Sequence, residues 1–152
     1  MGPAHRPLTP EDEPFVKSLI LGMTTEELQA WLWPEAMRAP LLEMQYRGRI
    51  SSIRGNYQNV EERILLAGGE AAGWMAVDRP EDAIWLLEIA VVPEHRSKGI
   101  GTGAIRELLR EGGERGLPVR LHVNAANRAA RLYERLGFRR VGGNEVQHLL
   151  ER

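Results

Sequence analysis

The segment best equipped for chemistry is VVPEHRSKGIGTG, residues 91–103. It leaves an apolar run and opens a helical pattern. Gly99 and Gly101 carry no side chains, so backbone amides there can come close to a ligand. Several of those amides are the unpaired donors of a helix N-terminus, where negative charge is favoured. Arg96 and Lys98 add positive charge beside them, so the bend is expected to hold a phosphate or pyrophosphate. Two other phosphate loops fit less well. A Walker-type loop ends in Gly-Lys-Ser/Thr, whereas this one ends in Gly-Thr-Gly. A dinucleotide fingerprint is formally matched by Gly99-x-Gly101-x-x-Ala104, but it wants an acid at the end of the next strand, and Val119–Asn124 holds none.

Three side chains in the segments before and after this bend can move or hold protons. Glu88 is the only acid inside the apolar run AIWLLEIAVV, residues 83–92. A buried carboxylate without a partner is expensive, so it must either sit at a cleft or be paired, with an arginine salt bridge as the plain alternative. Desolvation would raise its pKa. His122 alternates with Arg120 and Asn124 on the polar face of the next strand, either as a half-exposed sheet residue or as a base. Tyr133 lies on the apolar stripe of a short helix, where its plain role is a core aromatic.

The elements that position these groups follow from periodicity. Thr9-Pro10-Glu11-Asp12 reads as a helix start, with Phe15, Leu19 and Ile20 inward and Gly22 as its end. Thr24-Thr25-Glu26-Glu27 reads as a second start. Pro34 breaks the pattern, and a further helix from about Glu35 shows Met37, Leu41 and Met44 on one side. Short runs at residues 63–67 and 71–77 around Gly68-Gly69-Glu70 predict a hairpin. After the strand at 83–92, Ile100, Ala104, Ile105, Leu108 and Leu109 form a buried helical stripe that Gly112-Gly113 and Gly116 should end. Val119–Asn124 alternates as a half-buried strand. Ala129, Leu132, Tyr133 and Leu136 give a short helix closed by Gly137, and the tail should add one or two strands. Asn127 is placed to cap that last helix. The order predicts an α/β fold with a mixed central sheet flanked by helices and a helical N-terminal portion. The unit from residue 83 to 124 should be parallel and right-handed.

The 152 residues amount to one domain, residues 1–152. Cys is 0, which excludes disulfides and cysteine-bound zinc, and no two histidines have metal-ligand spacing, so no metal is expected. Lys+Arg 20 against Asp+Glu 21 gives a net charge of -1, which argues against nucleic acid or an anionic membrane held by bulk electrostatics. Apolar runs are far short of the ~20 residues that cross a bilayer, and the N-terminus lacks a signal-like apolar stretch, so a cytoplasmic location is expected.

VVPEHRSKGIGTG, together with the second block LHVNAANRAARLYERLGF (121–138), resembles the GNAT superfamily of N-acetyltransferases. The family pattern is Arg/Gln-x-x-Gly-x-Gly/Ala after a strand ending in Val-x-Pro, then a strand, an Asn and a Leu-Tyr-x-x-Leu-Gly-Phe helix. The likeness is good from Trp85 to Phe138. It implies acetyl-CoA as co-substrate, with the backbone amides of Ser97, Lys98, Gly99, Ile100, Gly101 and Thr102 on its pyrophosphate and Arg96 binding beside them. It also implies that the backbone of Ile89, Ala90 and Val91 pairs with the pantetheine arm, which requires the strands holding Glu88 and His122 to splay apart, and that Asn127 contacts the cofactor. Tyr133 falls at the family's general-acid position, toward the departing thiolate, while the base is Glu88, His122 or water. The implied reaction is direct attack of a primary amine on the thioester in a ternary complex. The acceptor is a small molecule or a peptide, met by the region holding Trp31, Trp33, Arg38, Tyr46, Arg47, Arg49, Arg54 and Tyr57. Those arginines either complement an acidic substrate or coat a helix. A non-catalytic acyl-CoA-binding or regulatory module is the alternative, other acyl donors such as succinyl-CoA stay open, and exchange of the tail strand would make a homodimer.

Overall fold

Alternating and continuous apolar runs assemble into one seven-stranded sheet in this computed structural model, which describes residues 2–57 and 59–152. The strands are β1 (His5–Pro7), β2 (Glu61–Ala67), β3 (Glu70–Asp78), β4 (Ile84–Val91), β5 (Val119–Asn124), β6 (Arg139–Gly143) and β7 (Gln147–Glu151), in spatial order β1-β2-β3-β4-β5-β7-β6. Four helices flank them: α1 (Glu13–Leu28), α2 (Glu35–Gly55), α3 (Ile100–Arg115) and α4 (Ala130–Arg135). Among the described strands only β4 and β5 run parallel, joined by α3 as the crossover.

The sheet buries both faces. On one side α3 and α4 close over Ile84, Leu86, Ile105, Leu108, Leu121 and Phe138. On the other, α1 and α2 cover Ile64, Trp74 and Ala76 with Val16, Ile20 and Ile53. Trp74 is fully buried, and its indole N–H donates to Glu62 Oε1 at 3.0 Å, so the one polar atom of the ring is satisfied.

Three expectations are corrected. Gly22 does not end the first helix and Thr24-Thr25 does not start another: α1 runs through both, with Thr24 buried and the Thr25 hydroxyl donating to the Leu21 carbonyl at 2.7 Å. Met37 and Met44 face solvent, and α2 instead buries Ile53, with Tyr46 and Ile50 packed beside it. Gly112-Gly113 lie inside α3, which ends at the left-handed Gly116 (φ 66°). A Cβ at Gly112 would lie 2.7 Å from the Leu117 carbonyl oxygen, so this glycine serves close packing. The tail forms two strands, β6 and β7, and β1 is an addition that no sequence pattern announced.

Two irregularities shape the centre of the sheet. Ala76 pairs with Glu88 while Val77 pairs with Leu86, so β4 carries one extra residue there. Such a bulge re-aims side chains. Leu86 and Ile89, three apart, both pack on the α3 side, while Leu87 and Ala90 pack toward α1 and α2. The second irregularity is that β4 and β5 pair only over Ile84–Leu86 and Val119–Leu121. Beyond that point β4 stays with β3 and β5 stays with β7, and the two strands part.

Candidate active site

The parting of β4 from β5 leaves Ile89, Ala90 and Val91 without a strand partner on one edge, although the Val91 carbonyl accepts from Arg96 Nε at 3.3 Å, and a cleft of about 500 Å³ follows that edge. Its floor is the bend after β4. Val92 leads into a short 3-10 turn, Pro93–His95, and Ser97 then sits in the left-handed region at φ 67°. Gly99 follows at φ 83°, a conformation in which a Cβ is strained. Within the turn at residues 96–99 and the start of α3, the amides of Ser97 through Thr102 make no close, well-aligned backbone bond; the first such bond is Gly103 N–H to Gly99 C=O at 2.8 Å. No side chain caps α3. All of those six residues but Lys98 line the cleft, and at Gly99 nothing lies within 4 Å of where a side chain would begin. Free amides at an uncapped helix start, beside Arg96, are the donor set a pyrophosphate requires, so these residues fit the phosphate end of a coenzyme A thioester.

Tyr133 also lines this cleft, 5% exposed and packed edge-on against Phe138 at 5.7 Å. Burial, and then the negative charge of Glu88, push its pKa well above the ordinary phenol range, which keeps it protonated.

On the far side of the parting strands lies a second cleft of about 330 Å³, bounded by Tyr57, Trp85, Glu88, His122, Asn124 and Gln147. His122 stacks on Trp85 with ring centres 5.5 Å apart and planes 17° from parallel. Glu88 is pushed up to about 7, chiefly by burial and in part by the charge of Glu27, against the pull of Arg49. Arg49, on α2, donates from Nε to Glu88 Oε2 at 3.2 Å, from Nη2 to Glu27 Oε2 at 3.1 Å and from Nη1 to the Thr24 hydroxyl at 3.0 Å. Asn127 donates to Glu27 Oε1 at 2.9 Å, and its own Oδ1 accepts from the Ala129 N–H at 2.8 Å. On the wall of the first cleft, Glu26 holds Arg96 at 2.8 Å and Arg128 at 3.4 Å. A carboxyl with a pKa near neutrality thus faces one cleft and a protonated phenol the other, across the gap between the strands.

The profile of the Acetyltransferase (GNAT) family matches residues 25–138, three-quarters of the sequence. The chain belongs to that family. The GNAT fold is also what it shares with solved structures. The PaiA N-acetyltransferase of Thermoplasma acidophilum, in complex with coenzyme A, is 18% identical with a TM-score of 0.73, over 100% of this chain and 99% of that one. An acetyltransferase from Thermus thermophilus is 18% identical with a TM-score of 0.70, over 100% and 97%. The ribosomal-protein-S18-alanine N-acetyltransferase of Escherichia coli is 24% identical with a TM-score of 0.61, over 97% and 91%.

In this GNAT chain the residues singled out from sequence fall into two groups. Ile89, Ala90, Val91, Arg96, Ser97, Gly99, Ile100, Gly101, Thr102, Asn127 and Tyr133 line the first cleft. Glu88 and His122 line the second, where Asn127 also reaches. Lys98 borders neither cleft. Glu88 meets both of its expected fates at once, since it sits at a cleft and is also paired to an arginine. Asn127 serves the turn before α4 through Ala129, not the first residue of the helix itself. Glu26, Glu27 and the linking role of Arg49 went unnoticed in sequence. The two acids read as first-turn residues of a helix that does not begin there, and Arg49 finds its carboxylates 22 and 39 residues away. Among the described residues no group of His, Asp and Glu could hold a metal, and no helix is long and apolar enough to cross a membrane.

Proposed function

We propose that residues 1–152 act as a single domain that transfers the acetyl group of acetyl-CoA to a primary amine by direct attack in a ternary complex. The observation that carries this reading is that no strand covers the edge of β4 at Ile89–Val91, in the cleft that also holds the bend and Tyr133. An extended pantetheine arm bonds to that edge as a strand would, and its thioester then lies where β4 and β5 part. The amine enters from the second cleft. Its nitrogen attacks the carbonyl carbon, the C–S bond breaks, and the electron pair leaves on sulfur. Glu88, directly or through a water, takes the amine's proton, and a carboxyl with a pKa of about 7 is suited to that exchange near neutrality. His122 lines the same cleft and is the second group able to pass the proton on. Tyr133 donates its hydroxyl to the departing sulfur. Because burial raises the phenol's pKa, its main contribution is the hydrogen bond that stabilises the thiolate as it forms; a proton delivered to sulfur is replaced from solvent.

Calorimetry with CoA and with acetyl-CoA, followed by CoA release in the presence of an amine panel, tests the proposal. Binding of both thioester and thiol, with amine-dependent release, is the expected result. Tight binding with no release on any amine would instead make this an acyl-CoA-binding module.

A further inference from the structure

Every arginine that precedes the hairpin and was a candidate for an acidic substrate already has a partner. Arg38 donates to the carbonyls of Ala30, Trp31 and Trp33. Arg47 holds Glu43, and Arg54 holds Glu13 and Glu62. Among the described residues Arg49 is the sole Lys or Arg on the wall of the second cleft, and also of the adjoining hollow of about 320 Å³ that continues it past Met44 and Leu28. Its guanidinium is taken up by Glu88, Glu27 and Thr24. Two carboxylates thus face one guanidinium, and with Glu88 ionised the cluster carries one net negative charge. Arg120, 6.0 Å over the Trp85 ring, is itself bound to Glu151 at 2.7 Å. The rest of the wall is the Trp85–His122 stack, the neutral groups of Tyr57, Ser52, Asn124, Asn127 and Gln147, and aliphatic side chains.

Building on the acetyl-transfer reading above, we propose that the acceptor is a primary amine with no carboxylate on the neighbouring carbon, either a free amine or an α-amine followed by an amide. An ammonium entering this cleft meets a net negative cluster and an aromatic wall, both of which attract it. A carboxylate beside the amine would be desolvated against Glu88 with no cation to receive it, which opposes entry. Free amino acids are therefore excluded, although the surrounding segment is rich in arginine.

The test is a matched set: tyramine, tyrosinamide and tyrosine, which differ at the position next to the amine. They are titrated by calorimetry into the CoA-bound chain and assayed for CoA release with acetyl-CoA at about pH 8, where carboxylates are ionised. Tyramine and tyrosinamide are expected to exceed tyrosine by at least about tenfold in affinity and in kcat/KM, since like-charge juxtaposition costs at least the ~1.4 kcal/mol that a factor of ten represents. Which of the two neutral-flanked compounds leads distinguishes a free amine from a peptide terminus. Ser52→Lys, at an exposed position on the cleft wall, is expected to narrow the gap by giving the carboxylate a partner. Tyrosine equal to or better than the others overturns the proposal. So does failure of all three to bind, or a gap that Ser52→Lys leaves unchanged, which would assign the discrimination to shape. Amines that bind in the expected order but are never acetylated would overturn the acetyl-transfer reading and leave the charge preference standing.

Discussion

Replacing Arg49 with glutamine separates the two influences that set Glu88 near neutrality. Burial pushes the carboxyl up, and the guanidinium 3.2 Å away pulls it down. At that distance Coulomb's law with an effective dielectric of about 20 gives roughly 5 kcal/mol between unit charges. Glu27 shares the same guanidinium, and water entering the variant replaces part of what is lost. About half, roughly 2.5 kcal/mol, is then the net change, which at 1.36 kcal/mol per pH unit is about two pH units. A base with a raised pKa ionises later, so the acid limb of kcat/KM moves about two pH units to the alkaline side in Arg49→Gln. Glu27→Gln moves it the other way, because the charge of Glu27 is one of the influences holding Glu88 up. The assay is CoA release at saturating acetyl-CoA and low amine across about pH 5 to 10. Using one amine throughout cancels the amine's own titration. Circular dichroism melts are needed for Arg49→Gln, since it leaves the Glu27 side chain, 6% exposed, without its cation. Limbs that stay put in both variants, or that shift in the same direction, would show that Glu88 is not the group titrating.

Removing only the hydroxyl, Tyr133→Phe should lower kcat by roughly 10²–10⁴ while CoA affinity measured by calorimetry holds. Glu26→Gln should tighten CoA binding by a few-fold, because it removes the carboxylate that Arg96 and Arg128 must leave before meeting a phosphate; exposed pairs of this kind are worth about 0.2–1 kcal/mol. Glu88 also links stability to pH. Its folded pKa of about 7 lies above the ordinary carboxyl value of 4.5, so the fold binds a proton that the unfolded chain releases. That contribution is complete below the unfolded pKa and lost as pH rises through about 7, some 3 kcal/mol in all. Glu88→Gln should therefore gain stability relative to the parent between about pH 5 and 8 in denaturant melts, and parallel curves would refute it.

Local pattern carried most of the fold and half of the site. The strand at 83–92, the glycine bend and the stripe of α3 lie within one contiguous stretch whose periodicity changes visibly, and the splay of β4 from β5 follows from the resemblance that stretch carries. What sequence missed depends on partners distant along the chain. Thr24 looks like a cap until Arg49, 25 residues on, takes its hydroxyl inside a continuous helix. Glu27 looks like a first-turn acid until the folded chain brings Asn127 to it across 100 residues. β1 has only three residues and includes a proline, so it shows no alternation; it forms because β2 offers an edge. Met37 and Met44 keep a helical spacing yet face outward, since spacing identifies a face without saying which way it turns.

The surplus residue of β4 opposite Ala76 is where this stretch of chain can change length. Ala76 and Val77 face opposite sides of the sheet, and so do their partners Glu88 and Leu86, so deleting Leu87 would restore an ordinary ladder without turning either end over. Ile84, Leu86 and Ile89 would stay with α3, and only the contact of Leu87 with the opposite layer would be lost. A one-residue change elsewhere in the strand would instead turn one half of it over and carry apolar side chains away from the layer that buries them.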